Sequence, residues 1–388
     1  MRWKTFFLVG ASLGIISLPV QTFGAEDTVE PSLEVKGEYN DNIFLTGNDE
    51  MDDFISTVKP GILLSRKTER LGASLKGYLS LIAYSDHDEL NAVDHDYTGD
   101  LNFLPTEKTR IAASANYLKD SRPDRDLLTT GEVLDASIRE RERYDLSGEW
   151  NITEISGVGV SYGYYEDDYD DLETSSYYAH FAGLGYSHNL SRYFANTTGR
   201  LNFNYGKYEF NTSSVDNYVF SIGFDRELSE LWQFSLAAGP RLTRTEFDSA
   251  ALSPEEDWGV SGEATMRYNG ETSWVDFTAA HEVSASSGSS GTVERTTFRV
   301  NMSRRFTEEL RAGMLLQYFR NKTDSDISLL RVNEDNYRFQ PRLTYNFTRD
   351  FLAELSYAFT FIDDKDDNLE RERNTVFLRF EKKFDLLE

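Results

Sequence analysis

Short polar turn signals, marked by Thr68, Thr106, Thr153, Ser191, Ser229, Glu271, Thr307 and Thr348, recur along this chain at steps of 36 to 47 residues. Each interval holds two runs of alternating apolar and polar residues, joined by a longer acidic segment rich in Gly, Asp and Ser. Alternation with a period of two marks strands with one apolar face. A tight turn, a strand, a long loop and a strand, repeated, predicts a sheet of antiparallel hairpins with one short end and one long end. Two strands per interval, with a half-interval hairpin at each end, give eighteen strands; sixteen is the alternative count. The expected fold is all-β: a closed antiparallel transmembrane β-barrel with short periplasmic turns and long acidic extracellular loops.

The strand faces support this. From Leu71 to Ala83 every odd residue is apolar or Gly, while Ser74, Lys76 and Ser80 lie between them. Val158, Val160 and Tyr162, then Leu201, Phe203 and Tyr205, then Val376, Leu378 and Phe380 repeat the pattern. The first strand is predicted at 31–40, the ninth at 193–206 and the last at 373–384. Trp150, Trp232 and Trp274 fall beside the short turns, where amphipathic aromatics would form a girdle at the membrane interface. A β-propeller also repeats every ~40 residues, but its strands are short and carry blade signatures absent from this chain.

Composition narrows the class further. A formal charge of −26 excludes nucleic acid as a partner. High charge can signal disorder, yet 22 Tyr and 26 Phe, many at alternate positions, require a folded β structure. Arg2 and Lys4, the apolar run Thr5 to Leu18, and the small residues Gly24 and Ala25 read as a secretion signal over residues 1–25, cut after Gly24 or Ala25. Residues 26–388 then form the barrel. The chain has no Cys, which excludes disulfides, thiolate metal sites and a lipid-modified N-terminal Cys. No cofactor or metal is expected.

The polar strand faces, read as the lumen wall, carry Arg200, Arg241, Arg299, Arg342 and Arg379, with Glu263 and Glu354 among the facing acids. Two readings stand: a cationic ring that selects anions, or an Arg–Glu network that stiffens the barrel. The longest loop, Lys119 to Ala136, joins the fifth and sixth strands and contains Arg122, Asp124, Arg125 and Asp126. By analogy with diffusion porins it would fold inward as a constriction; the alternative is a surface loop. Arg139, Arg141 and Arg143 alternate with Glu140 and Glu142, a pattern expected on a solvated rim. Acidic clusters at Asp49 to Asp53, Asp167 to Asp171 and Asp363 to Asp367 are expected to be solvated loops, without the spacing of a calcium loop. Asp86-His87-Asp88 and Asp94-His95-Asp96 raise a rim protease. His180, His188 and His281 raise a barrel lipase, but no diagnostic serine motif accompanies them. The expectation is that the chain is not an enzyme.

Gly37-Glu38-Tyr39-Asn40-Asp41-Asn42-Ile43-Phe44, followed by Asp53-Phe54-Ile55-Ser56-Thr57-Val58-Lys59-Pro60-Gly61, resembles the opening of a family of outer-membrane β-barrel porins linked with extracellular-polysaccharide export loci. The Leu-Ser-Arg and Phe-Thr-Arg turns are similar too. The resemblance spans the mature chain and implies an outer-membrane conduit, passing polar anionic solutes or an exported polysaccharide. It implies contact with outer-membrane lipid and lipopolysaccharide, with barrel-assembly machinery and with polysaccharide-export components. The competing class is a structural or adhesive barrel with a sealed lumen and partner-binding acidic loops. One departure from many barrels is that the chain runs on past Phe384 through Asp385 to Glu388.

Overall fold

The computed structural model describes residues 25–128, 130, 137–170, 175–249, 252–286, 291–323, 332–366 and 368–386. The secretion signal predicted at 1–25 lies outside these, apart from Ala25. Among the described residues, eighteen strands form one sheet that closes on itself. In chain order they are β1 Glu26–Asn40, β2 Asp53–Lys67, β3 Leu71–Tyr84, β4 Ala92–Thr106, β5 Thr109–Asp120 and β6 Arg139–Thr153. Next come β7 Ser156–Tyr169, β8 Tyr177–Asn189, β9 Thr197–Phe210, β10 Ser213–Glu227, β11 Trp232–Phe247 and β12 Glu255–Asn269. The last six are β13 Ser273–Ala285, β14 Thr292–Arg305, β15 Leu310–Thr323, β16 Asn333–Thr348, β17 Phe351–Asp364 and β18 Leu369–Lys383. Sequence neighbours pair antiparallel, and β1 meets β18 from Ser32↔Lys383 to Asn40↔Thr375. The tail past Phe384 prolongs that seam: the Phe384 N–H donates to Pro31 O at 2.8 Å and the Leu386 N–H to Val29 O at 3.2 Å.

The short turns are built by the hydroxyls that marked them. The Leu71 N–H donates to Thr68 Oγ1 at 3.0 Å, the Lys108 N–H to Thr106 Oγ1 at 3.2 Å, the Trp232 N–H to Ser229 Oγ at 3.2 Å and the Leu310 N–H to Thr307 Oγ1 at 3.0 Å. Each hydroxyl serves an amide that the ladder leaves behind as the strands part. Thr307→Val should therefore cost about 1 kcal/mol and lower the urea midpoint of the folded barrel. An unshifted midpoint would mean that water replaces the bond at no cost.

The ninth strand differs from expectation. It was predicted at 193–206 and begins at Thr197, because residues 190–196 form a longer turn. Both the Tyr193 and Phe194 N–H groups donate to Leu190 O, and Asn196 takes a left-handed φ of 52°. Apolar Tyr193 and Phe194, read as strand, are instead exposed on that turn.

Every second residue faces outward, and through the middle of the wall these residues are mainly apolar. Leu79, Leu81, Val160, Leu184, Phe203, Ile222, Leu343, Leu355 and Leu378 are all exposed. Prolines locally interrupt the wall, since they bring no N–H to the ladder. The β2–β3 pairing skips Pro60, the β10–β11 pairing skips Pro240 and the β16–β17 pairing skips Pro341. Beside Pro240, a Cβ on Gly239 would lie 1.9 Å from Phe220 O, so only Gly permits this approach.

An outer aromatic belt, unassigned in the sequence, is made of directly opposed pairs: Tyr97↔Tyr117, Tyr144↔Tyr164, Tyr205↔Tyr218 and Tyr318↔Tyr337. Their hydroxyls reach carboxylates further out: Tyr144 donates to Glu142 at 2.9 Å, Tyr164 to Glu166 at 2.6 Å, Tyr205 to Asp216 at 2.6 Å and Tyr318 to Asp335 at 2.8 Å. Rings in the apolar band with hydroxyls on charged groups suit a membrane boundary. At the other end Trp150 and Trp232 are exposed on the outward face. Trp274 is a correction to the expected girdle. It pairs with Ser303, on the same parity as Arg299, and so faces the lumen. In a strand a one-residue offset exchanges the two faces.

Candidate functional site

The lumen is crossed by the segment that follows β5. With strands in cyclic order, the β5–β6 pair lies diametrically opposite the β14–β15 pair. Yet Arg299 Nη2 of β14 donates to Leu128 O at 2.8 Å, Gln317 Nε2 of β15 donates to the same oxygen at 2.8 Å, and Asn321 Nδ2 donates to Thr130 O at 2.7 Å. The segment from Ser121 therefore reaches across to the far wall. Ion pairs hold its start to a third side: Arg122 Nη2 to Glu38 Oε1 of β1 at 2.6 Å and Asp124 Oδ2 to Arg373 Nη1 of β18 at 3.2 Å. Its root is a buried cluster in which Arg139 Nη1 meets Asp126 Oδ2 at 2.6 Å and Arg139 Nη2 meets Asp120 Oδ2 at 2.8 Å. Arg141 Nη2 meets Asp167 Oδ2 at 2.5 Å within the same cluster. Arg125 Nη1 donates to Ser137 O at 2.7 Å, tying the two ends of the segment together.

Arg139 and Arg141, expected on a solvated rim, are thus corrected: they are buried, 1% and 8% exposed. Their alternation matches the inward face, and their carboxylates come from Asp120 of β5, Asp126 of the crossing segment and Asp167 of β7. Arg143 lies over the Tyr165 ring at 5.1 Å. The acidic clusters are solvated at Asp49, Glu50, Asp52, Asp168, Asp170 and Asp366, as expected, and corrected at three members. Asp167 is buried against Arg141, Asp364 meets Arg371 Nη2 at 2.9 Å, and Asp53 is 1% exposed. Asp53 accepts from the Ser85 N–H at 2.8 Å, the His87 N–H at 3.1 Å and His87 Nδ1 at 2.8 Å. Asp171 and Asp367 lie outside the described residues.

The loop after β1 adds a second inward layer, carried by the Asn-Asp-Asn stretch at 40–42. Asn42 Nδ2 donates to Thr46 O at 2.8 Å and to Glu372 O at 2.9 Å, and the Thr46 N–H returns to Asn42 Oδ1 at 2.9 Å. This turns Leu45 inward, where it packs with Leu127 of the crossing segment and Ile362 of β17. Sequence alternation ends at loops, so nothing marked Leu45 and Leu127 as partners.

Burial raises the Asp124 carboxyl pKa but is outweighed by Arg122 and Arg373, which hold it well below the usual carboxylate range. Asp126 likewise overcomes its burial through Arg139 and Arg141 and is held low. A carboxyl whose pKa falls on docking contributes its full stabilisation above the free value of 3.8 and loses it as pH drops below that. Docking of the segment should therefore be insensitive between about pH 7 and about pH 4 and weaken only in stronger acid. Protection of the Arg125–Asp126 bond from protease, measured against pH, checks this; a loss near neutrality would contradict it.

Below the segment the wall is polar and largely charge-paired. A cavity of about 430 Å3 along β9–β15 is lined by Arg200, Glu263, Glu282, Arg295 and Arg299 with Asn202 and Asn204. A second of about 630 Å3, towards the short turns, is lined by Asp225, Ser235 and Arg267 among others. Arg200 Nε meets Asp225 Oδ2 at 2.9 Å, and Arg379 meets Glu34 at 3.2 Å and Glu354 at 3.3 Å. Arg342 Nη2 donates to Asn301 Oδ1 at 3.1 Å. Arg241, expected to line the pore, is corrected: it is fully buried against Asp257 at 2.6 Å and Glu294 at 2.7 Å. Arg299 and Arg342 hydrogen-bond neutral acceptors, whereas Arg200, Arg241 and Arg379 meet carboxylates.

The histidines are not gathered into a catalytic group. His87 is held by Asp53 at the rim, while His95 pairs with outward Leu79 and stacks on Tyr97. Ser156 Oγ does sit 2.8 Å from His188 Nδ1, across two strands that sequence reading did not connect. Among the described residues no carboxylate hydrogen-bonds His188 to orient such a pair. Nor do any three or more His, Asp or Glu side chains form a group able to hold a metal ion among those residues.

A closed barrel with an apolar exterior, two interface belts and a polar, loop-crossed lumen is an outer-membrane barrel of porin-like architecture. No family model and no curated protein matches the sequence. Solved structures are similar in fold. Pseudomonas aeruginosa OccK2 (OpdF) is 10% identical, with 94% of this chain and 100% of that chain covered at a TM-score of 0.50. OccK9 (OpdG) of the same organism is 9% identical, with 92% and 99% covered, also at 0.50. The outer membrane protein OpdK is 11% identical, with 92% and 99% covered at 0.48.

Proposed function

We propose that this barrel is a passive conduit for small polar solutes with a preference for anions. The observation that carries the reading is the crossing segment, docked on Arg299 and Gln317 above a polar cavity. A narrow passage lined by fixed guanidinium groups favours carboxylate-, phosphate- or hydroxyl-rich solutes. Arg299 and Arg342 set the sign of selection, because the other three arginines are offset by acids. An exported polysaccharide, suggested by the resemblance of the opening residues, would need the segment to leave the lumen, breaking the Arg122–Glu38 and Asp124–Arg373 pairs. The docked arrangement therefore favours the small solute.

Reversal potentials of purified barrels in planar bilayers under a salt gradient test this. The native barrel should be anion-preferring, and Arg342→Glu should shift the reversal potential towards cation preference without disturbing the crossing segment. Equal potentials in both would reject selection by these arginines. A folded barrel that never conducts would favour the sealed, adhesive alternative.

A further inference from the structure

The wall is not paired over its full height. Registered pairing between β12 and β13 runs from Asn269↔Trp274 only to Gly262↔His281. Above that point residues 255–261 still pair with β11, from Ser261↔Gly239 to Glu255↔Thr245, but have no β13 partner. β13 stays paired to β14 up to Ala285↔Thr292 and β14 to β15 up to Val293↔Thr323, so the sheet parts between β12 and β13 and leaves the β13 edge of the hairpin free. It has moved inward: Ala285 packs with Ala179, Tyr208, Phe210 and Val215 of β8, β9 and β10, and Tyr208 Oη donates to Val283 O at 3.5 Å.

One ion pair records the displacement. Glu294 shares the parity of outward-facing Phe298, yet its carboxylate meets Arg241 on the inner face of β11 at 2.7 Å. Those two groups can meet only if the outer surface of the hairpin lies inside the line of the wall. The Arg241 guanidinium crosses Gly259, where a Cβ would lie 2.4 Å from it, and bonds Asp257 at 2.6 Å. Arg241 thus links β11, β12 and the displaced hairpin.

The seam opens inside the apolar band. Outward Val260 and Trp258 on the free stretch of β12 are 60% and 70% exposed, and Trp258 shares a row with Leu242 and Tyr218 of the outer aromatic belt. An open strand edge facing hydrocarbon leaves amide groups unserved, so such an edge must close or be occupied. Immediately behind it is the polar cavity, lined on this side by Ser261, Gly262 and Glu263 of β12 and by Ala280 and Glu282 of β13. The crossing segment abuts the same cavity through Arg299, and the hairpin contributes Arg295 to its lining.

We infer that the β12–β13 seam is a lateral portal, latched open by Arg241 and Glu294, through which a single-chain amphiphile with an anionic head places that head in the lumen cavity while its chain stays in the outer leaflet. Arg295 and Arg299, which hydrogen-bond neutral acceptors, receive the head; Trp258 and Val260 flank the chain. This goes beyond solute passage and does not require current to flow.

The absence of Cys makes the seam testable by a disulfide. If the ladder continued, Val260 would face Val283, so Val260→Cys with Val283→Cys reports closure. In the full barrel the pair should oxidise slowly, and at least tenfold faster when Arg241→Gln or Glu294→Gln releases the latch. Equally fast oxidation with the latch intact would show a continuous wall and overturn the seam; no oxidation in any background would overturn the latch. The probe for the portal is dodecyl phosphate carrying a photoreactive diazirine next to the head, in phosphatidylcholine vesicles. Adducts should fall on the cavity stretches of β12 to β14, disappear in the oxidised, unlatched barrel and return on reduction. Adducts confined to the outer wall, or unchanged by the lock, would overturn the portal. Folding of each variant is read from its heat-dependent gel migration, and the two latch variants check one another.

Discussion

Replacing residues 122–136 with a short Gly-Ser linker should raise single-barrel conductance about three- to tenfold, because an eighteen-strand barrel is wide enough to hold an aqueous channel once nothing crosses it. The barrel itself should persist. Its strands are joined by ladders, complete except in the upper part of β12–β13, and the crossing segment contributes to none of them. The groups it leaves behind, including Glu38, Arg373, Arg299 and Gln317, would face a widened aqueous lumen. Water can therefore serve them, and the desolvation penalty of an orphaned buried charge is largely avoided. Anion preference should fall at the same time, since selectivity needs the passage to be narrow relative to the screening length. Conductance unchanged by the replacement would place the narrowest point elsewhere, with the inward loop after β1 as the next candidate.

The wall was legible in the sequence and the lumen was not, for a physical reason. Alternation such as Leu71 to Ala83 is imposed residue by residue by lipid on one side and water on the other, so it appears as a period of two. The turn hydroxyls of Thr68, Ser229 and Thr307 are likewise local, serving amides two or three residues away. What fills the barrel depends on contacts far apart in sequence. Leu128 meets Arg299, and Asn42 meets Glu372, across separations of 171 and 330 residues. Arg139 and Arg141 show the cost of local reading: a run of alternating charges looks solvated until the acids that neutralise it arrive from elsewhere. The signal that remained available was parity. Both arginines fall on the face opposite Leu146 and Trp150, and in a barrel that face is the lumen. Parity would also have turned Trp274 inward. The β12–β13 seam had no signature of this kind, since the residues beside it alternate as any strand does.

Arg139→Met should free the crossing segment while leaving the barrel folded. Arg139 is 1% exposed and meets Asp120 at 2.8 Å and Asp126 at 2.6 Å, with Asp167 at 3.8 Å. Removing one partner from a buried ion cluster costs about 3–5 kcal/mol, chiefly because the remaining charges stay buried without compensation. Asp126 keeps only Arg141, at 3.5 Å, and can escape the rest of that penalty by moving into water, since it lies on the segment itself; Asp120 ends β5 and cannot. The loss therefore falls on docking, shifting the docked-to-free ratio by about two to four powers of ten. Two readouts should move together: trypsin should cut after Arg125, and conductance should approach that of the linker variant. Arg139→Lys keeps the charge without the planar fork that bridges two carboxylates, so it should restore docking only in part. Asp126→Asn should release the segment less than Arg139→Met, since Asp120 and Asp167 still hold the guanidinium. If all three variants stay resistant and conduct like the native barrel, docking rests on the Arg122–Glu38 and Asp124–Arg373 pairs, and the cluster serves the β5–β6 wall alone.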